Sequence, residues 1–434
     1  MRAIITGGAR PKGLVNVSGA KNSATRLLSA ALLTDRPVEL SNFPTQLVDV
    51  GHKIRFVRAL GGKVEVDHDR GSVTVDASGY VSSVLDDYDF PIRTTYLLVA
   101  GQILRSGIAR IPYPGGCKIG ARGYDLHMMV WRQLGCEVEE LPDYIEVRGS
   151  SFKGGEIRFP ISTVGGTENA LICAAIAKGT SEIINAYITP EIEDLIDLLK
   201  RMGAQIEVFG NSHVRVEGRK DLSGARKGVM PDRIEALTWI VYAIMTRGEL
   251  LISGVPFSSM RSPLLYIESA GIDLLANSDS IYVHPDCIRE NRVQPFEVPC
   301  GAHPGVISDM QPFFTMLGLC ATGVSRIFDY RYPERVGYVN ELARFCNSGA
   351  LAAEHGKITV NGPGQFRAAE ATSTDLRGSM ALILAALCAD GRSVVNDAHM
   401  ALRGYNDLSG KLAKVGVVID VEDSDHDVTD VAAE

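Results

Sequence analysis

The feature that most constrains this chain is an internal repeat. A short, almost wholly apolar helical run followed by a β-rich run occurs six times in its 434 residues. The runs are NSATRLLSAALLT, TTYLLVAGQILRSG, TENALICAAIAKGT, IEALTWIVYAIMTRG, MQPFFTMLGLCATG and RGSMALILAALCADG. A helix that is apolar on every face must be covered on every face. Each run is followed by an amphipathic segment, such as LIDLLKRMGAQIEVFG, that ends in a glycine and an alternating strand. The closing glycines, Gly61, Gly135, Gly203, Gly271, Gly349 and Gly416, recur every 67 to 78 residues. Glycine is expected just past a helix end, where the backbone turns left-handed. The pairs of alternating runs that follow, as in KVEVDHDRGSVTVDA, read as hairpins.

Six βαβαββ-like units could form a solenoid or two globular halves of three units each. A solenoid leaves one face of each repeat wet, so the all-apolar helices favour two halves. The expectation is an α/β fold of two domains, with helices inside and sheets outside. Residues 21–230 form the first, 1–20 together with 231–420 the second, and 421–434 an acidic, disordered tail. Two chain crossings would then make a hinge around a cleft.

Composition narrows the function. The net charge of −8 lacks the broad basic field of a nucleic-acid binder, although a pocket for a small anion needs only local cations. The N-terminus lacks the apolar core of a secretory signal. The longest apolar stretch, Met380–Ala389, is about half a membrane span. A cytoplasmic protein without membrane contact is expected. Eight cysteines include no CxxC pair, and no histidine cluster has metal-ligand spacing, so neither a disulfide framework nor a metal site is expected.

Polar residues precede each apolar helix: Lys21–Asn22, Arg93–Thr94–Thr95, Thr167–Glu168–Asn169, Asp232–Arg233, Asp309, and Thr374–Asp375 with Arg377. Capping accounts for Thr94, Thr167 and Thr374. It does not account for Lys21, Arg93 or Arg377, because a cation opposes the positive end of the helix dipole. Cations at helix starts suit an anionic ligand on which several N-termini converge. The segment PYPGGCKIGARGYDLH, rich in glycine and proline, reads as a mobile loop. Within it Cys117 neighbours Lys118 and Arg122, whose charges favour its thiolate.

These residues carry a resemblance. SGAKNSA (18–24), PGGCKIGARGYDLH (114–127), TVGGTENALI (163–172), MPDRIEA (230–236), HPGVISDMQPFFT (303–315), TDLRGSM (374–380) and LRGYNDL (402–408) occur in order along the whole chain. The sequence thereby resembles the enolpyruvyl transferases, on the branch that acts on UDP-N-acetylglucosamine. The resemblance implies two inside-out α/β barrel (prism-like) domains, each of three βαβαββ repeats, with the active site in the interdomain cleft. It implies transfer of the enolpyruvyl group of phosphoenolpyruvate to a sugar hydroxyl, with release of phosphate and without a cofactor or metal. That reaction opens peptidoglycan precursor synthesis.

Residue by residue, the resemblance makes Cys117 the loop acid and the target of fosfomycin, and Asp309 the base at the acceptor hydroxyl. Lys21, Arg122 and Arg403 would hold the phosphate, and Lys21 and Arg403 would also serve the chemistry. Arg335 and Arg377 would hold the carboxylate, with Asp375 fixing the cations. Asn22, Arg93, Gly123, Tyr124, Asp125, Leu126, Thr163, Val164 and Gly165 would contact the acceptor together with Asp309.

Some positions depart from the UDP-sugar pattern. Ile161 stands where a nucleotide-binding lysine is expected, Leu97 where an aromatic is usual, Gly123 replaces a proline and Thr189 a glutamate. Leu402 replaces an aspartate, and PERVGYV differs from the usual pattern. The departures gather around the acceptor, which leaves another uridine nucleotide as an alternative acceptor. A non-catalytic nucleotide-sugar sensor is disfavoured, since Cys117, Asp309 and Lys21 are all present.

Overall fold

The computed structural model describes residues 1–79, 82, 85, 92–113 and 123–422. Thirteen α-helices occur among them. They are α1 (Lys21–Ala30), α2 (Val48–Ala59), α3 (Val99–Ser106), α4 (Asp125–Gln133), α5 (Val164–Ala175), α6 (Pro190–Arg201), α7 (Arg233–Thr246), α8 (Phe257–Ser269), α9 (Gln311–Gly318), α10 (Gly337–Leu342), α11 (Leu376–Cys388), α12 (His399–Leu402) and α13 (Leu408–Lys414). The chain divides into two compact units. Among the described residues, one holds 18–113 and 123–231, the other 1–17 and 232–422.

Each unit has its own apolar core. In the first, α1, α3 and α5 run through the interior, and Gly166 to Ala175 of α5 are buried without a break. In the second, α7, α9 and α11 do the same, with Leu376 to Leu387 wholly buried. The outer helices bury one stripe. In α6 the stripe includes Ile192, Leu195, Ile196 and Leu199, with Glu193 and Lys200 outside it. Pro190 opens this helix, Glu191 and Glu193 lie in its first turn, and Lys200 and Arg201 in its last, so sequence and macrodipole agree.

Among the described residues, six sheets surround these cores. Five share one pattern, in which a central strand has a parallel neighbour on one side and an antiparallel pair on the other. Thr180–Ala186, for example, runs parallel to Glu156–Thr163 and antiparallel to His213–Glu217, which pairs with Gln205–Phe209. Strand exchange closes each unit on itself. Ala225–Gly228 returns to pair with Val38–Ser41 of the first repeat. In the other unit Lys12–Asn16 pairs with Glu249–Ser253, and Arg2–Gly7 sits between Gly391–Asn396 and Ile419–Glu422. The six closing glycines all have positive φ, from 79° to 102°, the left-handed turn that releases the chain from each outer helix into its hairpin.

Candidate functional site

In the unit that contains Met1, the starts of α7, α9 and α11 carry a network of two arginines and three aspartates. Asp232 caps α7, accepting from the amides of Ile234 at 2.8 Å and Glu235 at 3.1 Å. Asp375 caps α11, accepting from Arg377 at 3.1 Å and Gly378 at 3.2 Å. Asp309 lies in the single 3-10 turn Ser308–Met310 that leads into α9. Arg335 donates from Nη1 to Asp309 at 2.6 Å and from Nη2 to Asp375 at 2.8 Å. Arg377 stands 3.7 Å from Asp309 and 3.9 Å from Asp232, donates to the Gly404 carbonyl at 3.3 Å and covers the Tyr405 ring at 5.3 Å. Arg403 immediately precedes Gly404 and follows α12.

Burial opposes the charge on Arg335, but Asp375 and Asp309 more than offset it, so its pKa is raised. Tyr405 and Asp232 do the same for Arg377. Both guanidinium groups are held charged inside the protein. Burial acts in the opposite sense on Asp232, raising its pKa despite Arg377. Asp309 differs from its partners in access: its side chain is 27% exposed, whereas Arg335, Arg377 and Asp375 are buried. A partly exposed carboxylate can take a proton from a substrate hydroxyl.

The other unit gathers the starts of α1, α4 and α5 and the 3-10 helix Arg93–Leu98. Lys21 opens α1 and pairs with Asp49 at 2.7 Å, and Asn22 follows it, half-buried. Arg93 donates to the carbonyl of Gly123, just ahead of Tyr124, Asp125 and Leu126 at the start of α4. Thr163 caps α5 by accepting from the Gly166 amide at 3.3 Å, with Val164 and Gly165 in the first turn. Ile161, two residues earlier, is 60% exposed.

Cys117 and Arg122 lie outside the described residues. The capping expected of Thr94, Thr167 and Thr374 is corrected. Side-chain caps on the internal helices come from Thr163, Asp232 and Asp375. α5 begins four residues earlier than expected, because Val164–Gly165–Gly166 joins the helix. Thr167 Oγ1 therefore bonds back to the Thr163 carbonyl at 2.7 Å. Thr189 occupies the N-cap position of α6, with its side chain buried, and Leu97 is buried too.

Sequence reasoning missed a buried charged group beside Arg93. Arg26 pairs with Glu168, and Lys53 is fully buried, donating to the Thr94 carbonyl at 2.6 Å. Desolvation holds Lys53 well below the usual lysine range and raises Glu168. A signal existed: Lys53 falls on the stripe Val50, Ile54, Val57, where an apolar residue is the rule.

Comparison with known proteins agrees with this geometry. A family model for EPSP synthase (3-phosphoshikimate 1-carboxyvinyltransferase) matches residues 5–412. The chain belongs to this family of enolpyruvyl transferases. It is 36% identical to the UDP-N-acetylglucosamine 1-carboxyvinyltransferase of Novosphingobium aromaticivorans, across 96% of this chain and 98% of that one. It is 35% identical to the enzyme of the same name from Caulobacter sp., across 96% of each. Among solved structures, the enolpyruvyl transferase NikO from Streptomyces tendae superimposes with a TM-score of 0.86 at 25% identity, covering 96% of this chain and 98% of NikO. EPSP synthase from Acinetobacter baumannii shares the fold, with a TM-score of 0.72 at 14% identity. No helix among the described residues is long and apolar enough to cross a membrane.

Proposed function

We propose that this chain transfers the enolpyruvyl group of phosphoenolpyruvate to the 3-hydroxyl of UDP-N-acetylglucosamine and releases phosphate. The observation that carries the reading is the partly exposed Asp309, held by an arginine that also grips a helix-capping aspartate. The full-length relatives of that name add to it.

The reaction is an addition followed by an elimination. Asp309 takes the hydroxyl proton as the oxygen attacks C2 of phosphoenolpyruvate, and Cys117 supplies a proton to the C3 methylene. The tetrahedral intermediate then loses a proton from C3 and its phosphate, restoring the double bond. Its negative charge calls for fixed cations. Arg335 and Arg377 face the carboxylate, with Asp375 as their anchor, and Lys21, Arg122 and Arg403 face the phosphate. Asn22, Arg93, Gly123, Tyr124, Asp125, Leu126, Thr163, Val164 and Gly165 contact the acceptor. The work is done in the cytoplasm, on phosphoenolpyruvate and a nucleotide sugar.

One observation favours a second acceptor: Ile161 leaves an exposed apolar side chain where the UDP-sugar pattern has a lysine. Phosphate release is therefore to be measured with UDP-N-acetylglucosamine beside UMP, UDP-glucose and shikimate 3-phosphate. Release with the first alone supports the proposal. Turnover confined to UMP would move the enzyme to another uridine nucleotide.

A further inference from the structure

We infer that His127 is a hydrogen-bond donor to a phosphoryl group of the nucleotide acceptor at the start of α5, a positioning role that rests on the function proposed above. His127 lies in the first turn of α4 and is 5% exposed. Its ring stacks on Tyr96, with centroids 4.4 Å apart, and stands beside Trp131 at 6.5 Å. Nδ1 is sealed from solvent and has no hydrogen-bond partner. The opposite edge faces the first turn of α5, where a Cβ on Gly165 would stand 3.1 Å from Nε2. A Cβ at 165 would crowd the imidazole edge, so glycine eases the approach of the ring to the helix backbone.

The tautomer follows from this placement. Nδ1 is buried and unpaired in either tautomer, so a proton there would serve no ligand, and only a proton on Nε2 gives the ring a donor that an anion can use. A proton on Nε2 points the donor at the opening turn of α5. Thr163 occupies the Gly166 amide there, while amides earlier in a first turn have no partner within their helix. A phosphoryl oxygen satisfies backbone amides and an imidazole N–H together, and the helix dipole favours its charge. Burial and the nearby Arg93 hold the His127 pKa at about 3, so the ring donates as a neutral group. With Ile161 on the approaching strand, Arg93 brings the positive charge to this corner.

The test is titration of the full chain with UDP and with uridine, for wild type and for His127→Phe, His127→Gln and His127→Asn. Acceptor and phosphoenolpyruvate KM values are measured alongside. Phenylalanine keeps the stack, glutamine places an amide near Nε2, and asparagine places one near Nδ1. The expected result is about tenfold weaker UDP binding and a matching rise in acceptor KM for Phe and Asn. Glutamine should stay within about threefold of wild type, with uridine affinity and phosphoenolpyruvate KM unmoved in all. UDP binding by His127→Phe equal to wild type would overturn the inference. Equal losses in Phe and Gln would also overturn it, because they would mark a packing role. A wild type that binds UDP through His127 yet turns over no UDP-sugar would remove the proposed acceptor and leave the phosphate contact standing.

Discussion

Arg335 holds Asp309 and Asp375 with the two ends of one guanidinium group, at 2.6 and 2.8 Å. Asp375 is buried and fixed by the amides of α11, so the position of Asp309 is set through Arg335 by a rigid helix end. Removing the guanidinium would leave a buried carboxylate unpaired. Arg335→Ala should therefore cost about 3–5 kcal/mol of stability, read by urea denaturation. Arg335→Lys keeps the charge but cannot fork; it should fold with a smaller loss and still raise the phosphoenolpyruvate KM. A lysine variant with wild-type kinetics would dismiss the clamp.

Asp309 is the most exposed member of this network. Asp309→Asn keeps the shape of the side chain and removes its basicity. Phosphate release should fall about 10²- to 10⁴-fold while phosphoenolpyruvate still protects the protein against thermal unfolding. Release at the wild-type rate would end its assignment as base.

Cys117→Ala should abolish or severely impair turnover without lowering the melting temperature, and the variant should escape covalent labelling by fosfomycin. An alanine variant that turns over normally would show that another group protonates the methylene.

The repeat was legible because burial on all faces leaves a compositional mark that a single sequence displays. Asp232, Asp309, Asp375 and Arg377 were legible for a related reason: a charged residue at the start of an apolar helix has few explanations. The start of α5 was misjudged because Val164–Gly165–Gly166 has the composition of a loop, and only its packing makes it helical. The Arg26–Glu168 pair joins residues 142 apart, and no local pattern announces such a partnership. His127 stood inside a recognised motif, but its lack of a partner is a property of the folded surroundings alone.

His127 also makes a prediction about acid stability. Its folded pKa of about 3 lies below the ordinary 6.5, so between these values the unfolded chain binds the proton and the folded chain does not. Its contribution is therefore fully present above pH 6.5 and is lost as the pH falls from there toward 3. At pH 5 the loss approaches about 2 kcal/mol. Wild type should lose more melting temperature between pH 7 and pH 5 than His127→Phe does. Parallel profiles for the two proteins would mean that the ring is not held neutral.

Ile161 offers the converse experiment, in which a contact is added. It sits at the exposed end of the strand Glu156–Thr163, two residues before the cap of α5. A hydrophobic side chain there contributes no attraction to a phosphate. Ile161→Lys restores a cation at a solvent-facing site, where such a contact is worth about 0.5–1 kcal/mol. The acceptor KM should fall about two- to fivefold at low salt, and the gain should shrink as salt screens it. Stability should hardly change, because the position is exposed. If UDP-N-acetylglucosamine binds no better to the lysine variant and UMP proves the better substrate, Ile161 belongs to a pocket shaped for the smaller nucleotide.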